Sequence, residues 1–378
     1  MKKTFKYRLY PNRAVEKSSD EILDLCRILY NLCLEQRRML WQYHKKSITC
    51  FDQIKQLPPL KKAFPEFKKV PSQTFQEVAE RVDKAFKGFF QRIKNGTRAG
   101  YPRFKSLGRY HSFTLKQAGW KLSGKVLEIK KIGSFKIILH RPLGGNVKTV
   151  SIKRTVTGKW FALFSCDDMP ARPLEKTGKA IGIDMGCESF LVDSNGQGID
   201  NPRFLKKKEA LLQERQRALS RKKKGSYRRN KARLLLAKTH EKIANMRRDF
   251  HFKIANQLFK VADIICIEKL SVWKSWRTLN KSIRDAAWIS FFMILRAKAE
   301  EAGREIIEVP ARNTSQTCSG CGETVEKTLS DRWHFCPFCH LSISRDHNAA
   351  RNILNLGTRF RENQSSLLSR EALGFSPG

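Results

Sequence analysis

Ile181-Gly-Ile-Asp184-Met-Gly186 reads as an apolar strand that ends in a carboxylate. Burying that carboxylate costs desolvation energy unless something pairs with it, and a metal ion is one such partner. Glycine on both sides lets a phosphate backbone come close. Many strands end in Asp for turn reasons, so the stretch has a purely structural reading as well. A second apolar run, Ile264-Ile-Cys-Ile-Glu268, also ends in an acid, and alone it reads as a solvated strand end. In Arg345-Asp346-His347-Asn348-Ala349-Ala350 the acid stands where a helix begins, a position that suits an ordinary N-cap.

Taken together the three acids say more. Two would end neighbouring strands of an RNase H-like sheet, and the third would start a helix packed across it. Such a trio can hold two divalent ions roughly 3.5–4 Å apart. Hard oxygen ligands select Mg²⁺ or Mn²⁺ over zinc.

The surrounding texture supports a layered α/β domain. Strands are expected at Lys179–Asp184 and Ser189–Asp193, with a turn at Asn195-Gly196. From Arg203 to Arg248 a basic helical stretch carries 18 Lys or Arg against 3 Asp or Glu, and a break at Gly225-Ser226 divides it into two antiparallel helices. A strand Asp263–Glu268, a helix near Ile283–Ala302, a strand Glu305–Val309 and a helix Asp346–Leu356 follow. The polar end from Glu362, with its late Gly and Pro, is expected to fray.

Four cysteines are spaced for metal. Cys318-Ser-Gly-Cys321 and Cys336-Pro-Phe-Cys339 are two C-x-x-C turns separated by fourteen residues. Each pair can grip one face of a tetrahedral Zn²⁺, and four thiolates leave no open position, which makes the zinc structural. His334, His340 and His347 lie near enough to replace a cysteine, but four cysteines make that unnecessary. Cys26 and Cys33 share an apolar helical stripe with Ile22 and Leu29, and Cys166 and Cys266 lie in strand-like runs. All four read as small core residues without disulfides.

The N-terminal half differs. A strand Thr4–Tyr10 stops at Pro11, and helical spacing runs from Arg13 to His44. Asp52–Lys69 has no clean period. Ser72 is a plausible N-cap for a helix through Lys94, which Asn95-Gly96 ends. Short alternating runs at Val126–Ile129, Phe135–Leu139, Val147–Ile152 and Trp160–Ser165 read as an antiparallel barrel or sandwich that the first strand joins. The expected division is therefore a β-barrel from 1–12 and 99–170, with a helical insertion at 13–98. An α/β domain from 179–310 and 345–360 follows, with a ribbon at 311–344 and a flexible tail at 361–378.

The 378-residue chain carries a formal charge of +40 and is 40% hydrophobic. It is a folding chain that needs a polyanion, and nucleic acid is the first candidate. A ribosomal protein is the bland alternative, although such proteins are usually shorter and lack acids on buried strands. No apolar run spans a bilayer and no signal-like segment follows Met1, so a cytoplasmic location without membrane attachment is expected.

In order, Gly-Ile-Asp-Met-Gly (182–186), Ile264–Leu270, Arg312–Gly322, the Cys336–Cys339 turn and Ser344–Leu354 resemble the TnpB family. These are RuvC-like, insertion-sequence-encoded proteins related to miniature type V CRISPR effectors and often labelled transposases. Asn201–Phe204, Leu219–Lys224, Asp285–Trp288, the Phe86 and Phe89-Phe90 aromatics and Gly100–Phe104 extend the resemblance over nearly the whole chain. The resemblance implies a RuvC nuclease with its triad on Asp184, Glu268 and Asp346. It also implies a guide RNA from the element's own end and double-stranded target DNA cut beside a short transposon-adjacent motif.

By the same analogy the barrel is a wedge domain, the insertion a recognition domain, and the protein a monomer on one RNA, nucleoid-associated when active. The basic helices would line the heteroduplex channel, with Lys222, Lys223, Lys224, Arg228 and Arg229 as candidates; otherwise they form a solvated face. Gln73 and Gln76 could read base edges or be ordinary exposed side chains. Arg312 could contact the scissile phosphate or form a salt bridge. The intact triad argues against a nuclease-inactive regulator; a strand-transferring transposase would use the same acids.

Overall fold

The computed structural model describes residues 1–269, 285–310, 314–328 and 331–372, with side chains through residue 363. The chain forms two compact units, Met1–Pro170 and Ala171–Gly378.

In the first unit, β1 (Lys3–Tyr10) lies inside a seven-stranded antiparallel sheet. The other strands are β2 (Ser112–Leu115), β3 (Trp120–Ser123), β4 (Val126–Ile129), β5 (Gly133–Ile138), β6 (Asn146–Arg154) and β7 (Trp160–Asp167), in the order β2-β6-β7-β1-β5-β4-β3. The expected closed barrel is not formed: β2 and β3 are edges of an open sheet.

The reason lies in α4 (Ser72–Lys94), which covers the β2 edge. Thr74 Oγ1 donates to Thr114 O, and Arg81 Nη1 donates to Ser112 O at 2.8 Å. Helix side chains thus satisfy carbonyls that a closing strand would otherwise have used.

Helix α1 (Arg13–His44) is capped by Asn12, whose side chain accepts from Val15 N at 2.9 Å. Its stripe of Ile22, Cys26, Leu29 and Cys33 is buried, as the spacing implies. These residues share one core with Phe75, Val78 and Val82 of α4 and with Tyr7, Phe113 and Phe164 of the sheet. Burial pushes the Cys33 thiol up to about 11, in keeping with a core role. Two expectations change here. Ser72 is the first helical residue and makes no cap hydrogen bond, because Pro71 occupies the cap position. The aperiodic stretch is helical in short pieces: α2 (Cys50–Lys55), α3 (Leu57–Ala63) and a 3₁₀ turn at Pro65–Lys69. Pro58 and Pro65 start such turns, and segments this short show no period.

In the second unit, β8 (Ala180–Asp184), β9 (Ser189–Asp193) and β10 (Gly198–Asp200) form an antiparallel meander. β11 (Ile264–Glu268) and β12 (Glu305–Val309) then add in parallel, giving the order β10-β9-β8-β11-β12. Between β10 and β11 run α5 (Phe204–Lys207), α6 (Glu209–Ser220) and α7 (Tyr227–Val261). Ser226 caps α7, as the Gly225-Ser226 break suggested. The helix expected near Ile283–Ala302 appears as α8 (Trp288–Ala302); residues 270–284 lie outside the described residues.

Strand alternation sorts the sheet's two faces. Ile181, Ile183, Ile265 and Ile267 pack with Ile254, Leu258 and Phe259 of α7 and Phe291 and Leu295 of α8. Gly182 and Cys266 face the other way, toward α9 (Arg345–Ala372). A Cβ at Gly182 would collide with Ala350 O and lie 2.6 Å from Leu354 N. A Cβ at Gly357 would overlap Cys266 Sγ. Two glycines, one on each element, let α9 lie directly on the sheet. α9 also continues beyond Leu356 to Ala372, further than the polar composition of the end suggested. No helix among the described residues is long and apolar enough to cross a membrane.

Candidate active site

Parallel pairing fixes the first two acids. Ile183 is opposite Ile267, so Asp184 and Glu268 follow one residue later at adjacent strand ends. The close packing of α9 brings its first turn, with Asp346, to the same end. A Cβ placed on Gly186 would lie 3.7 Å from Asp346 Oδ2, so the loop after β8 runs beside that carboxylate. All three acids are half-buried and remain open to small ligands.

Their electrostatics are strained. Asp184 is pushed up to about 8, first by lost hydration and then by repulsion from Glu268 and Asp346. The Arg345 guanidinium and the Met185 N–H only partly compensate. Arg345 also pairs with Asp346, Nε to Oδ1 at 3.4 Å. A carboxyl that resists ionisation beside two further acids suits a divalent cation. Among the described residues, only the four cysteines place all their donor atoms within 4.8 Å of one another. The donor oxygens of the three acids are spread more widely than that.

Thr314, which the sequence did not single out as a site residue, donates its hydroxyl to Glu268 Oε1 in a short hydrogen bond. Its carbonyl accepts from Asn352 Nδ2 at 2.8 Å. One helical turn earlier, Asn348 donates to Thr317 O at 2.7 Å and accepts from Ser319 N at 2.9 Å. Both asparagines are buried on α9. The legible signal was their spacing: two amides four apart face one way along a helix.

The segment they hold leads into the cysteine centre. Cys318 Sγ lies 3.6 Å from Cys339 Sγ, and Cys321 Sγ lies 3.5 Å from Cys336 Sγ. Sulfurs bound tetrahedrally at about 2.3 Å would be about 3.8 Å apart, so the group can hold a metal ion such as zinc. These distances are too long for disulfides. The second turn is carried by β13 (Trp333–Phe335) and β14 (Ser342–Ser344). The histidines stand elsewhere: Lys327 Nζ meets His334 Nδ1, and His347 Nε2 lies 3.1 Å from Ser194 O.

The candidate nucleic-acid contacts divide. Lys222, Lys223, Lys224 and Arg228 are exposed around the α6–α7 turn. Arg229 is partly committed, since its Nη1 donates to Leu219 O at 3.0 Å and Lys222 O at 2.6 Å and so ties off the end of α6. Gln73 is half-buried, and its Oε1 accepts from Lys116 N at 3.2 Å, which makes it a support for the loop after β2. Gln76 lines a surface cavity of about 520 Å³ with Leu57, Lys61, Lys62 and Lys68. Arg312 lies outside the described residues.

Comparison with known proteins gives a consistent result. Residues 163–277 match a family described as "Probable transposase", and residues 288–353 match a Cas12f1-like TNB domain. Residues 1–46 match a family described as a helix-turn-helix domain, although here they form one strand and one long helix. A Streptomyces pristinaespiralis protein named "Putative RNA-guided DNA endonuclease" is 32% identical over 94% of this chain and 90% of its own length. InsQ of Escherichia coli K12, similarly named, is 29% identical over 93% and 92%. TnpB-like protein L79 of Acanthamoeba polyphaga mimivirus is 27% identical over 58% of this chain and 45% of its own. The fold matches a Cas12f1 chain solved with its guide RNA and target DNA, at TM-score 0.62 and 15% identity, over 94% of this chain and 99% of that one. Identity at this level along nearly the full length means that the chain belongs to the TnpB family.

Proposed function

We propose that the chain is an RNA-guided DNA endonuclease whose cutting centre is the RuvC-like trio Asp184, Glu268 and Asp346. The carrying observation is the placement of Asp184: next to Glu268 across a parallel strand pair, beside Asp346 of the first turn of α9, and too poorly hydrated and too close to two further acids to ionise freely. The strand order β10-β9-β8-β11-β12, with three antiparallel and then two parallel strands, supports an RNase H-like reading. Relatives named as RNA-guided endonucleases over the full length support the same activity.

In this reading the three carboxylates hold two Mg²⁺ or Mn²⁺ ions, which when bound supply an activated water and stabilise the departing 3′ oxygen. Asp184 adjoins Glu268 across the strand pair and Asp346 at the start of α9, and Arg345 offsets part of the charge. The four cysteines hold a structural Zn²⁺, because a four-thiolate set leaves no open position. The protein reads phosphate backbone and a short flanking motif, while base pairing to the guide reads sequence.

The open sheet of 1–12 and 99–170 takes the wedge role. Helical residues 13–98 take the recognition role, with the lysine-lined cavity around Gln76 as the surface for the flanking DNA. Residues 179–310 and 345–360 are the nuclease, 311–344 the ribbon and 361–378 the tail. One chain acts per RNA, in the cytoplasm and on the nucleoid. Expression with the native flanking DNA, sequencing of co-purifying RNA and plasmid cleavage with Mg²⁺ test the whole reading. Guide-matched cuts that vanish in Asp184→Ala support it. Joined strands without a defined RNA would instead indicate a transposase, and RNA binding without cleavage a regulator.

A further inference from the structure

We infer that Thr314 is a positioning residue for Glu268: its hydroxyl holds one carboxylate oxygen so that the other faces the acid cup, and Asn352 holds Thr314. The inference rests on the nuclease reading above.

Glu268 is the last residue of β11, and pairing with Val309 of β12 fixes its backbone but not the direction of its side chain. A glutamate there has three side-chain torsions, and no other hydrogen-bond partner for its carboxylate is found among the described residues. Left to itself, the side chain would turn away from the negative charge of Asp184 and Asp346. A threonine hydroxyl has one proton to donate, and that proton goes to Oε1 of Glu268. Thr314 is itself buried, so the contact is exposed to water only on the Glu268 side.

The donor is braced from behind. Asn352 Nδ2 reaches the Thr314 carbonyl at 2.8 Å and the Thr317 carbonyl at 2.6 Å. Asn352 stands six residues beyond Asp346 on the same helix. One rigid element therefore carries Asp346 and also anchors the group that aims Glu268. Asp346 and the support of Thr314 thus share α9.

The test uses the full chain with its co-purified RNA and two substitutions. Thr314→Val keeps the shape and removes the proton; Thr314→Ser keeps the proton. Mg²⁺ binding is read by calorimetric titration, alongside the Mg²⁺ concentration for half-maximal cleavage and the melting temperature. The expected result is about ten-fold weaker Mg²⁺ binding and a matching rise in half-maximal Mg²⁺ for Thr314→Val, with Thr314→Ser within about two-fold of the parent. The two melting temperatures should agree within a few degrees. Parent-like Mg²⁺ binding in Thr314→Val overturns the inference, as does equal impairment in Thr314→Ser. Because Mg²⁺ binding is read without cleavage, failure of the endonuclease reading stays separate: there, Asp184→Ala would leave Mg²⁺ binding unchanged.

Discussion

Asp184 and Glu268 stand side by side because Ile183 pairs with Ile267 in a parallel register, which places two acids one step beyond a shared hydrogen-bonded ladder. Burial, and then repulsion from Glu268 and Asp346, holds the Asp184 carboxyl well above the usual carboxylate range. In Mg²⁺-free protein the native state keeps a proton on Asp184 that the unfolded chain releases near pH 4. That part of the stability is therefore lost as pH rises from about 4 to about 8. Asp184→Asn should abolish cleavage yet raise the melting temperature of Mg²⁺-free protein at pH 7 by a few degrees. Differential scanning calorimetry in Mg²⁺-free buffer checks this, and a lowered melting temperature would contradict the strain.

Gly182 carries the second prediction. A methyl group there meets backbone atoms of Ala350 and Leu354, which cannot swing aside as a flexible side chain would. Gly182→Ala should cost about 2–3 kcal/mol and lift the start of α9, taking Asp346 with it. Urea unfolding should show the loss, and cleavage should fall by far more than the fraction of protein unfolded. An unchanged urea midpoint would mean that α9 does not press on β8.

The cysteine centre allows a third. Cys336→Ser should remove one metal equivalent by atomic absorption and lower the melting temperature of the ribbon. Burial lifts the Cys336 thiol, but backbone N–H groups and neighbouring cysteines outweigh it and bring it down to about 7, so this sulfur is readily a thiolate at neutral pH. Asn348 joins the Cys318 turn to α9, so metal loss should also raise hydrogen exchange in the first turns of that helix. Exchange confined to the ribbon would break the proposed link to Asp346.

His251 gives a pH signature separate from the acids. It is buried, stacked on Phe190 with ring centroids 5.5 Å apart, and its Nε2 is 3.0 Å from Ala286 O. Burial is the main cause of its depressed basicity; the Ala286 carbonyl opposes the shift and Arg247 adds to it. The unfolded chain protonates this histidine near pH 6.5, before the native protein does, so stability present above 6.5 declines as pH falls through the lower native value. His251→Phe should flatten the decline in unfolding free energy between pH 7 and pH 5. A decline as steep as the parent's would assign it to other groups.

Changing Lys222, Lys223 and Lys224 together to Gln should weaken RNA binding most at low salt. It should also reduce the slope of log affinity against log salt by up to about 2–3. Arg229→Gln should act differently, lowering stability through the α6–α7 turn that its guanidinium closes. Filter binding across a salt series separates the two.

The fold of the second unit was legible because β8 and β11 are short, apolar and punctuated by acids, and because the stretch between them is basic and helical with one marked break at Gly225-Ser226. The cysteine spacing needed no structure to suggest a metal. The open sheet was less legible. Alternation marks strands but not whether the first and last pair, and that was decided by Thr74 and Arg81 of a helix some forty residues away in sequence. Gln73 could not be placed for a related reason: its residue type suits base reading, and only the fold shows that its Oε1 also accepts from Lys116 N.

By itself, the sequence determined most element types, the four-cysteine centre and the acids at the ends of β8 and β11, since these follow from local patterns of polarity and spacing. The tertiary structure alone decided that Ile183 aligns with Ile267, that Gly182 and Gly357 admit α9 against the sheet, and that Thr314 meets Glu268. Register, close approach and long-range hydrogen bonds depend on how distant segments pack, and packing is settled by the whole chain at once.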